Sequence, residues 1–175
     1  TATEETESSE ETTDKEEANA DEAVAEADSD EEEAAEAEAD EAEAELEAAI
    51  EVENDLRSEI VTYALQFVGN RYKYGGTNPN TGVDCSGFTS YVMRHAAEVE
   101  LPHSSGGQSR MGRQVSSSEM RPGDIICYGS GKRINHVALY IGNGQIVHAS
   151  TERTGIKVSR WNYRTPVRIV NVLGD

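Results

Sequence analysis

Asp84-Cys85-Ser86-Gly87-Phe88 decides how this 175-residue chain is read. The cysteine follows a loop containing Gly75, Gly76 and Gly82. It opens a stretch in which Phe88, Tyr91, Val92 and His95 fall on one helical stripe. A helix N-terminus presents unpaired N–H groups and a partial positive charge. Both favour thiolate over thiol, so this position is expected to lower the thiol pKa below its usual value of about 8.5. Cys85 is the candidate nucleophile, and Asp84 is placed to cap its helix.

The partners of such a nucleophile lie downstream. His136 opens the strand-like run His136-Val137-Ala138-Leu139-Tyr140-Ile141, and His148 closes Gln145-Ile146-Val147-His148-Ala149. Gly142-Asn143-Gly144 between them is a hairpin signal. Side chains alternate along a strand, so a two-residue loop would place the two histidines on opposite faces. A three-residue loop opposes Ala138 and His148 and leaves His136 and His148 as diagonal neighbours on one face. The three-residue loop is expected, with Gly144 in the left-handed conformation. It supplies a base, His136, and a second imidazole to orient it, which is the logic of cysteine hydrolases.

The rest of the chain divides by charge. Residues 1–55 hold 26 Asp/Glu and one Lys, whereas residues 56–175 hold 8 Asp/Glu and 14 Lys/Arg. The formal net charge of −19 therefore averages two opposite halves. The first, rich in Glu, Ala, Thr and Ser, has no aromatic residue and too little apolar surface to offset chain entropy. It is expected to be a mostly disordered acidic linker, partly helical over 34–53, with self-shielding of the basic half as the sharper alternative. Residues 56–175 form a single domain with enough chain for one core. No run of 18 apolar residues occurs, so no membrane span is expected. The chain opens at Thr1 rather than Met, and a processed product or excised piece, lacking its signal peptide or upstream region, is expected.

Within the domain, Asp55 is expected to cap a helix over Leu56–Val68 that Gly69 stops. A short helical stretch is expected around Gln108–Gly112, and Arg121-Pro122-Gly123-Asp124 turns into a first strand containing Cys127. Strands near Ile156–Ser159 and Val167–Leu173 follow the hairpin. Helices first and strands after give an α+β fold with helices packed on a small antiparallel sheet. Cys127, in a buried strand, reads as a small core hydrophobe rather than a disulfide partner of Cys85. A zinc site built from Cys85, Cys127, His136 and His148 lacks the Cys-x-x-Cys or His-x-x-x-His spacing of such sites, and no metal or cofactor is expected. His95 reads as core or rim packing. The basic residues are scattered without aromatic interleaving, so nucleic acid is not an expected partner.

Six segments, in order, resemble the NlpC family of papain-like cell-wall peptidases. They are Tyr72-Lys73-Tyr74-Gly75-Gly76, Asp84-Cys85-Ser86-Gly87-Phe88, Leu101-Pro102 with Ser104-Ser105, Arg121-Pro122-Gly123-Asp124, His136 to Gly142, and Val147-His148-Ala149. The resemblance spans roughly Glu59 to Leu173. It implies a papain-like fold and a secreted, cell-wall enzyme that hydrolyses the bond between γ-D-glutamate and a diamino acid in peptidoglycan stem peptides. It also implies Cys85 as nucleophile, His136 as base and His148 as the third polar residue. Tyr72 would place its hydroxyl near the thiolate and the scissile carbonyl, while Asp84 and Ser86 would line the site and hold substrate. Tyr74 is assigned to packing. His103 departs from the Arg usual in the family, which puts an ion pair there in question. A papain-like acyltransferase and a catalytically idle wall-binding module are the alternatives; the first would want an apolar membrane-facing segment, the second no complete Cys/His/His set. The basic half suits anionic wall polymers, and a monomer is expected.

Overall fold

The computed structural model describes residues 21–175. Residues 1–20, with the disorder expected of them, lie outside the described residues. The chain divides into two compact units, Thr1–Ala48 and Ala49–Asp175.

Where composition expects a mostly disordered tract and then a separate helix, one helix, α1, runs from Asp21 to Leu65. No Gly or Pro occurs before Gly69, and Ala and Glu are strong helix formers. Residues 33–52 are all exposed, so this part is helical by propensity rather than by packing. Asp55 is accordingly an interior helix residue and not the expected N-cap. Beyond it, in the second unit, Ile60, Ala64 and Phe67 are buried. The helix ends three residues before the expected Val68. Its last turn tightens through i→i−3 bonds from Phe67 N to Ala64 O and from Val68 N to Leu65 O. Gly69, at φ +94°, then turns the chain and donates to Ile156 O.

The second unit is the expected α+β arrangement. Two two-residue strands, β1 (Thr77–Asn78) and β2 (Gly82–Val83), precede α2 (Cys85–Ala97) and the single turn α3 (Ser105–Gln108). The turn α3 forms ahead of the expected 108–112 stretch because Ser104 caps it, its side chain accepting from Gly107 N. Then follow β3 (Arg113–Gln114), β4 (Ile125–Ser130), β5 (Arg133–Gly142), β6 (Gln145–Thr151), β7 (Gly155–Arg160) and β8 (Pro166–Asn171). They form a six-stranded antiparallel sheet in the order β3-β8-β4-β5-β6-β7.

Alternation splits the sheet into two apolar faces. Ile125, Cys127, Val137, Leu139, Val147 and Ala149 join Phe88 and Val92 of α2 and Ile60 and Ala64 of α1 in the main core. Ile126, Tyr128, Ala138, Tyr140, Ile146 and Ile169 form a second cluster on the opposite face. Cys127 is fully buried and free, as its strand position leads one to expect.

The hairpin reaches the expected register by a different route. Its loop is the two residues Asn143-Gly144, at φ +54° and +72°, and Gly142 pairs with Gln145. Both positive φ values mark the type I′ geometry that matches strand twist. The extra residue is a bulge at Ile141, because Tyr140 pairs with Ile146 and Leu139 with Val147. Carried one pair further, that register opposes Ala138 and His148, so the histidines still share a face.

Candidate active site

Asp84 organises the start of α2. It is the N-cap, in extended conformation, and its Oδ1 accepts from Gly87 N at 2.8 Å. Its Oδ2 accepts from Gly75 N at 3.1 Å, which ties the glycine loop to the helix. The third partner is His103, whose Nε2 lies 2.8 Å from Oδ1. His103, where the sequence left an ion pair in question, therefore reaches this carboxylate. Gly87 is required here: a Cβ would lie 2.2 Å from Gly76 O.

Ser86 is buried, its hydroxyl 3.4 Å from Asp84 Oδ1. Its carbonyl accepts from Gln108 Nε2 at 2.9 Å. Gln108 is fully buried and also bonds Thr89 Oγ1, Ser90 Oγ and Pro102 O. This one amide locks the first turn of α2 to the 101–108 loop. Nothing in the local sequence marks it, since its role depends on groups from two other segments.

On the sheet, His136 Nε2 and His148 Nδ1 are 2.8 Å apart, and His148 Nε2 is 2.9 Å from Ser159 Oγ on β7. One tautomer pattern leaves a base. If His136 Nε2–H donates to His148 Nδ1 and His148 Nε2–H donates to Ser159 Oγ, then His136 Nδ1 is an unprotonated acceptor. Burial holds both rings neutral. It lowers His136 to about 4, aided by the Arg164 guanidinium, and His148 to about 3, aided by His136 and Lys157.

Cys85 is half-buried at the first position of α2. Contrary to the expectation from the helix N-terminus, its thiol pKa is raised. Burial is the largest cause, and the Asp84 carboxylate adds to it. Backbone hydrogen bonds from Val137, Ser86 and Cys85 itself pull the other way without prevailing. The Val137 contact places the sulfur against β5, one residue from His136. Among the described residues the side-chain hydrogen bond of His136 runs to His148 and not to Cys85. The resting pair is thus a neutral thiol beside a strand that carries a neutral imidazole. Alkylation of Cys85 by iodoacetamide should therefore be slow near pH 7 and climb steadily into the alkaline range. Cys127, fully buried and pushed up to about 12, should stay unlabelled until the protein unfolds. A Cys85 labelling rate that is already maximal below neutrality, followed by mass spectrometry of the two peptides, would overturn the protonated resting state.

Tyr72 is half-buried, bridged to Val83, and packs, as Cys85 does, against the main core. Burial first, then the Cys85, Asp84 and Glu152 charges, raise its hydroxyl pKa. Tyr74, assigned to packing from sequence, is 84 % exposed and is corrected to a surface residue. It follows Lys73 in a turn, where no apolar neighbour covers it. His95 is likewise exposed, its ring stacked 4.0 Å from that of Tyr91.

Three more residues border the histidines. Tyr163 lies 5.3 Å ring to ring from His148, tilted, and from Tyr128, edge-on, and burial raises its pKa with the Cys85 charge adding to it. Arg164 reaches Asn135 Oδ1 at 3.0 Å. Tyr163, Arg164 and Ser159 come from β7 and the loop after it. That segment carries no motif, and only the sheet order brings it to the site. Among the described residues no group of three or more His, Cys, Asp or Glu is placed to hold a metal ion.

Known proteins share this arrangement of chain. A model of the NlpC/P60 family matches residues 69–169. The murein DD-endopeptidase MepS/murein LD-carboxypeptidase of Escherichia coli (strain K12) is 41 % identical over 108 residues, covering 62 % of this chain and 56 % of that protein. The probable endopeptidase p60 of Listeria seeligeri is 42 % identical over 98 residues, 56 % of this chain and 18 % of that one. The chain thus spans about half the length of the first relative and under a fifth of the second. Among solved structures, the NlpC/p60 domain of the peptidoglycan hydrolase SagA is 32 % identical, with 66 % of this chain and 97 % of that one covered and a TM-score of 0.61. The peptidoglycan hydrolase RipB of Mycobacterium tuberculosis is 28 % identical, with 70 % and 67 % covered and a TM-score of 0.62. The family match takes in the cysteine, both histidines and the sheet that holds them, and the chain belongs to the NlpC/P60 family.

Proposed function

We propose that this protein is a cysteine endopeptidase of peptidoglycan stem peptides that cuts the bond between γ-D-glutamate and the diamino acid. The observation that carries the reading is the His136–His148–Ser159 relay on β5, β6 and β7, set beside a cysteine at a helix start. The relatives named as murein endopeptidases and peptidoglycan hydrolases support the substrate class.

Cys85 Sγ attacks the scissile carbonyl carbon as its proton passes to His136 Nδ1. The positive ring that results is stabilised through Nε2–H by His148, whose own orientation Ser159 fixes. The N–H groups of Cys85 and Ser86 at the start of α2, with the Tyr72 hydroxyl beside them, face the developing oxyanion. One such donor is worth about 3 kcal/mol of barrier. The C–N bond breaks, His136 protonates the departing amine, and a thioester remains. Water, deprotonated by His136, attacks that thioester, and Cys85 leaves as the thiol. The enzyme works outside the membrane, at the wall, as a monomer.

Digestion of purified sacculi, with fragments read by mass spectrometry, tests the bond. Fragments ending in γ-D-glutamate and absent with Cys85→Ala are expected. The name of the Escherichia coli relative points to a cut between two D-centres instead. Loss of cross-links with every γ-D-glutamyl bond intact would replace the proposed bond by that one, and no fragments at all would end the hydrolase reading.

A further inference from the structure

A basic cavity of about 290 Å³ lies among the segment after α3, the β4–β5 turn and β8. Arg110, Lys132 and Arg168 line it together with Ser109 and Gln114, and no aspartate, glutamate or aromatic side chain does. Among the described residues none of the three cations is held in an ion pair. The Nε of Arg168 is moreover buried without a hydrogen-bond partner. Buried donors are nearly always paired, so this guanidinium carries donor capacity that the fold itself does not use. The chain as a whole has a formal net charge of −19. It therefore attracts a polyanion only through a local cluster of this kind.

A different backbone device fixes each cation. Arg110 follows α3, where Ser109 Oγ donates to Gly106 O at 2.7 Å and Arg110 N to Gly107 O at 3.2 Å. Gly112, at φ +63°, then lets the chain lie against the end of β8, since a Cβ there would overlap Asn171 O. Gln114 pairs with Val170, and Val115 N donates to Ile169 O at 2.9 Å, which ties this wall to β8. Lys132 sits in a two-residue turn between the paired Ser130 and Arg133. Gly131, at φ +60°, takes the first central position, as a type II′ hairpin requires. Arg168 opposes Cys127 across β8 and β4, and its charge acts on that buried thiol, so the side chain stands on the main-core face of the sheet. The backbone under each head is thus fixed, which limits the ordering cost of binding to the side chains.

We propose that this cavity binds a phosphodiester group of an anionic polyol-phosphate polymer, with Arg168 as the bidentate anchor and Arg110 and Lys132 as flanking charges. None of its lining residues belongs to the cysteine site, so the proposal stands or falls apart from the endopeptidase reading. Three positive charges without a carboxylate match an anion and not a zwitterion. A guanidinium offers a fork of donors fitted to phosphate oxygens, and the unpartnered Nε–H is one tine of that fork. Arg110 and Lys132 are exposed, so a phosphate within a chain reaches them without threading a channel. No aromatic ring lines the cavity to stack a base, which disfavours a nucleic acid. The consequence is retention of the protein at a polyanionic surface.

Calorimetry of the full chain with a short poly(glycerol phosphate) tests the site, at about 0.15 M salt, where exposed charges act over about 8 Å. Arg110→Gln/Lys132→Gln should weaken binding about 5- to 20-fold. Arg71→Gln/Lys73→Gln removes the same charge from exposed residues elsewhere and should change it less than about twofold. Arg168→Gln should weaken binding about 10-fold or more, and Arg168→Lys should not restore it, because an ammonium has no fork. In the wild-type protein the Arg168 Nε–H resonance should move on titration with the polymer. The two double variants alter only exposed side chains, so their comparison holds even where Arg168→Gln fails to fold. Equal losses in both would reduce the binding to diffuse charge and overturn the site. Polyglutamate bound as tightly would overturn the phosphate assignment. Inorganic phosphate bound as tightly as the chain would replace the polymer by a free anion, and tighter binding of a single-stranded oligonucleotide would replace it by a nucleic acid. Either result, or no binding of the polymer at all, ends this proposal.

Discussion

Cys85→Ala and His136→Ala are each expected to lower kcat/KM on a soluble stem peptide by about 10⁴-fold or more, and the double variant is expected to lose no more than either single one. The reason is that each residue is useless without the other. The Cys85 thiol is held protonated by its burial, so it cannot attack until a base removes its proton. His136 is held neutral, near a pKa of about 4, so its ring is unprotonated at working pH, and the burial that keeps it so also makes it a weaker base than an ordinary imidazole. Steady-state rates for the four proteins close the cycle. Losses that multiply would mean that the two side chains act separately, and the proposed proton transfer would fall. The pH profile gives a second readout. A base must be unprotonated, and the lowered pKa keeps His136 so at pH values where an ordinary imidazole is already charged. The acid limb of kcat/KM should therefore lie near pH 4 and not near the usual value of about 6.5. The same shifts weaken the fold in acid. Between about pH 6.5 and their folded values the unfolded state binds protons at positions 136 and 148 that the native state does not, so stability falls as pH falls through that window.

The parts of this site that local rules govern were legible in the sequence. Asp84 caps α2 because a carboxylate before an apolar-periodic run has free N–H groups to meet, and Cys85 follows as the first helical residue. The hairpin register was legible through face-sharing of two histidines, although the device was not. Gly142-Asn143-Gly144 is compatible both with a three-residue loop and with a two-residue turn plus a bulge at Ile141, and both give one register. What depends on tertiary neighbours was not legible. A helix N-terminus argues for a low thiol pKa, but the amount of chain packed over Cys85 reverses the sign. Ser159, Tyr163 and Arg164 reach the histidines only because β7 pairs with β6, which no motif announces. Likewise α1 extends to Asp21 because helix propensity alone suffices in a Gly- and Pro-free tract, where a hydrophobic criterion finds nothing to fold.

Arg57→Ala is expected to destabilise the 49–175 unit by about 3–5 kcal/mol, the cost of removing one partner from a buried ion pair. Arg57 is 2 % exposed on α1. Its Nη1 donates to Pro122 O at 2.8 Å and to Asp124 Oδ1 at 3.0 Å, and its Nε donates to Asp175 Oδ2 at 3.1 Å. The guanidinium thus pins the helix to the turn that starts β4 and to the segment that follows β8. The two carboxylates respond in opposite directions. Asp175, clamped mainly by Arg57, titrates at about 2, so its contribution is present above the usual carboxylate range and is lost as pH falls toward 2. Asp124 is 1 % exposed, and burial raises its pKa despite Arg57 and the Arg121 N–H. Without Arg57 that buried carboxylate has no countercharge, so it must be protonated or hydrated on folding. The deficit of Arg57→Ala should accordingly be largest near neutrality and shrink in acid, where Asp124 takes up its proton. Urea midpoints at several pH values, with an unchanged m-value, measure this. Asp124→Asn in the same background should recover part of the loss, because the amide needs no countercharge. A deficit below about 1 kcal/mol, or one independent of pH, would place Arg57 among surface ion pairs of little consequence. Because Asp124 O also accepts from Tyr140 N, and Tyr140 lies on the strand that carries His136, the same variant should lose activity in step with folded population and not ahead of it.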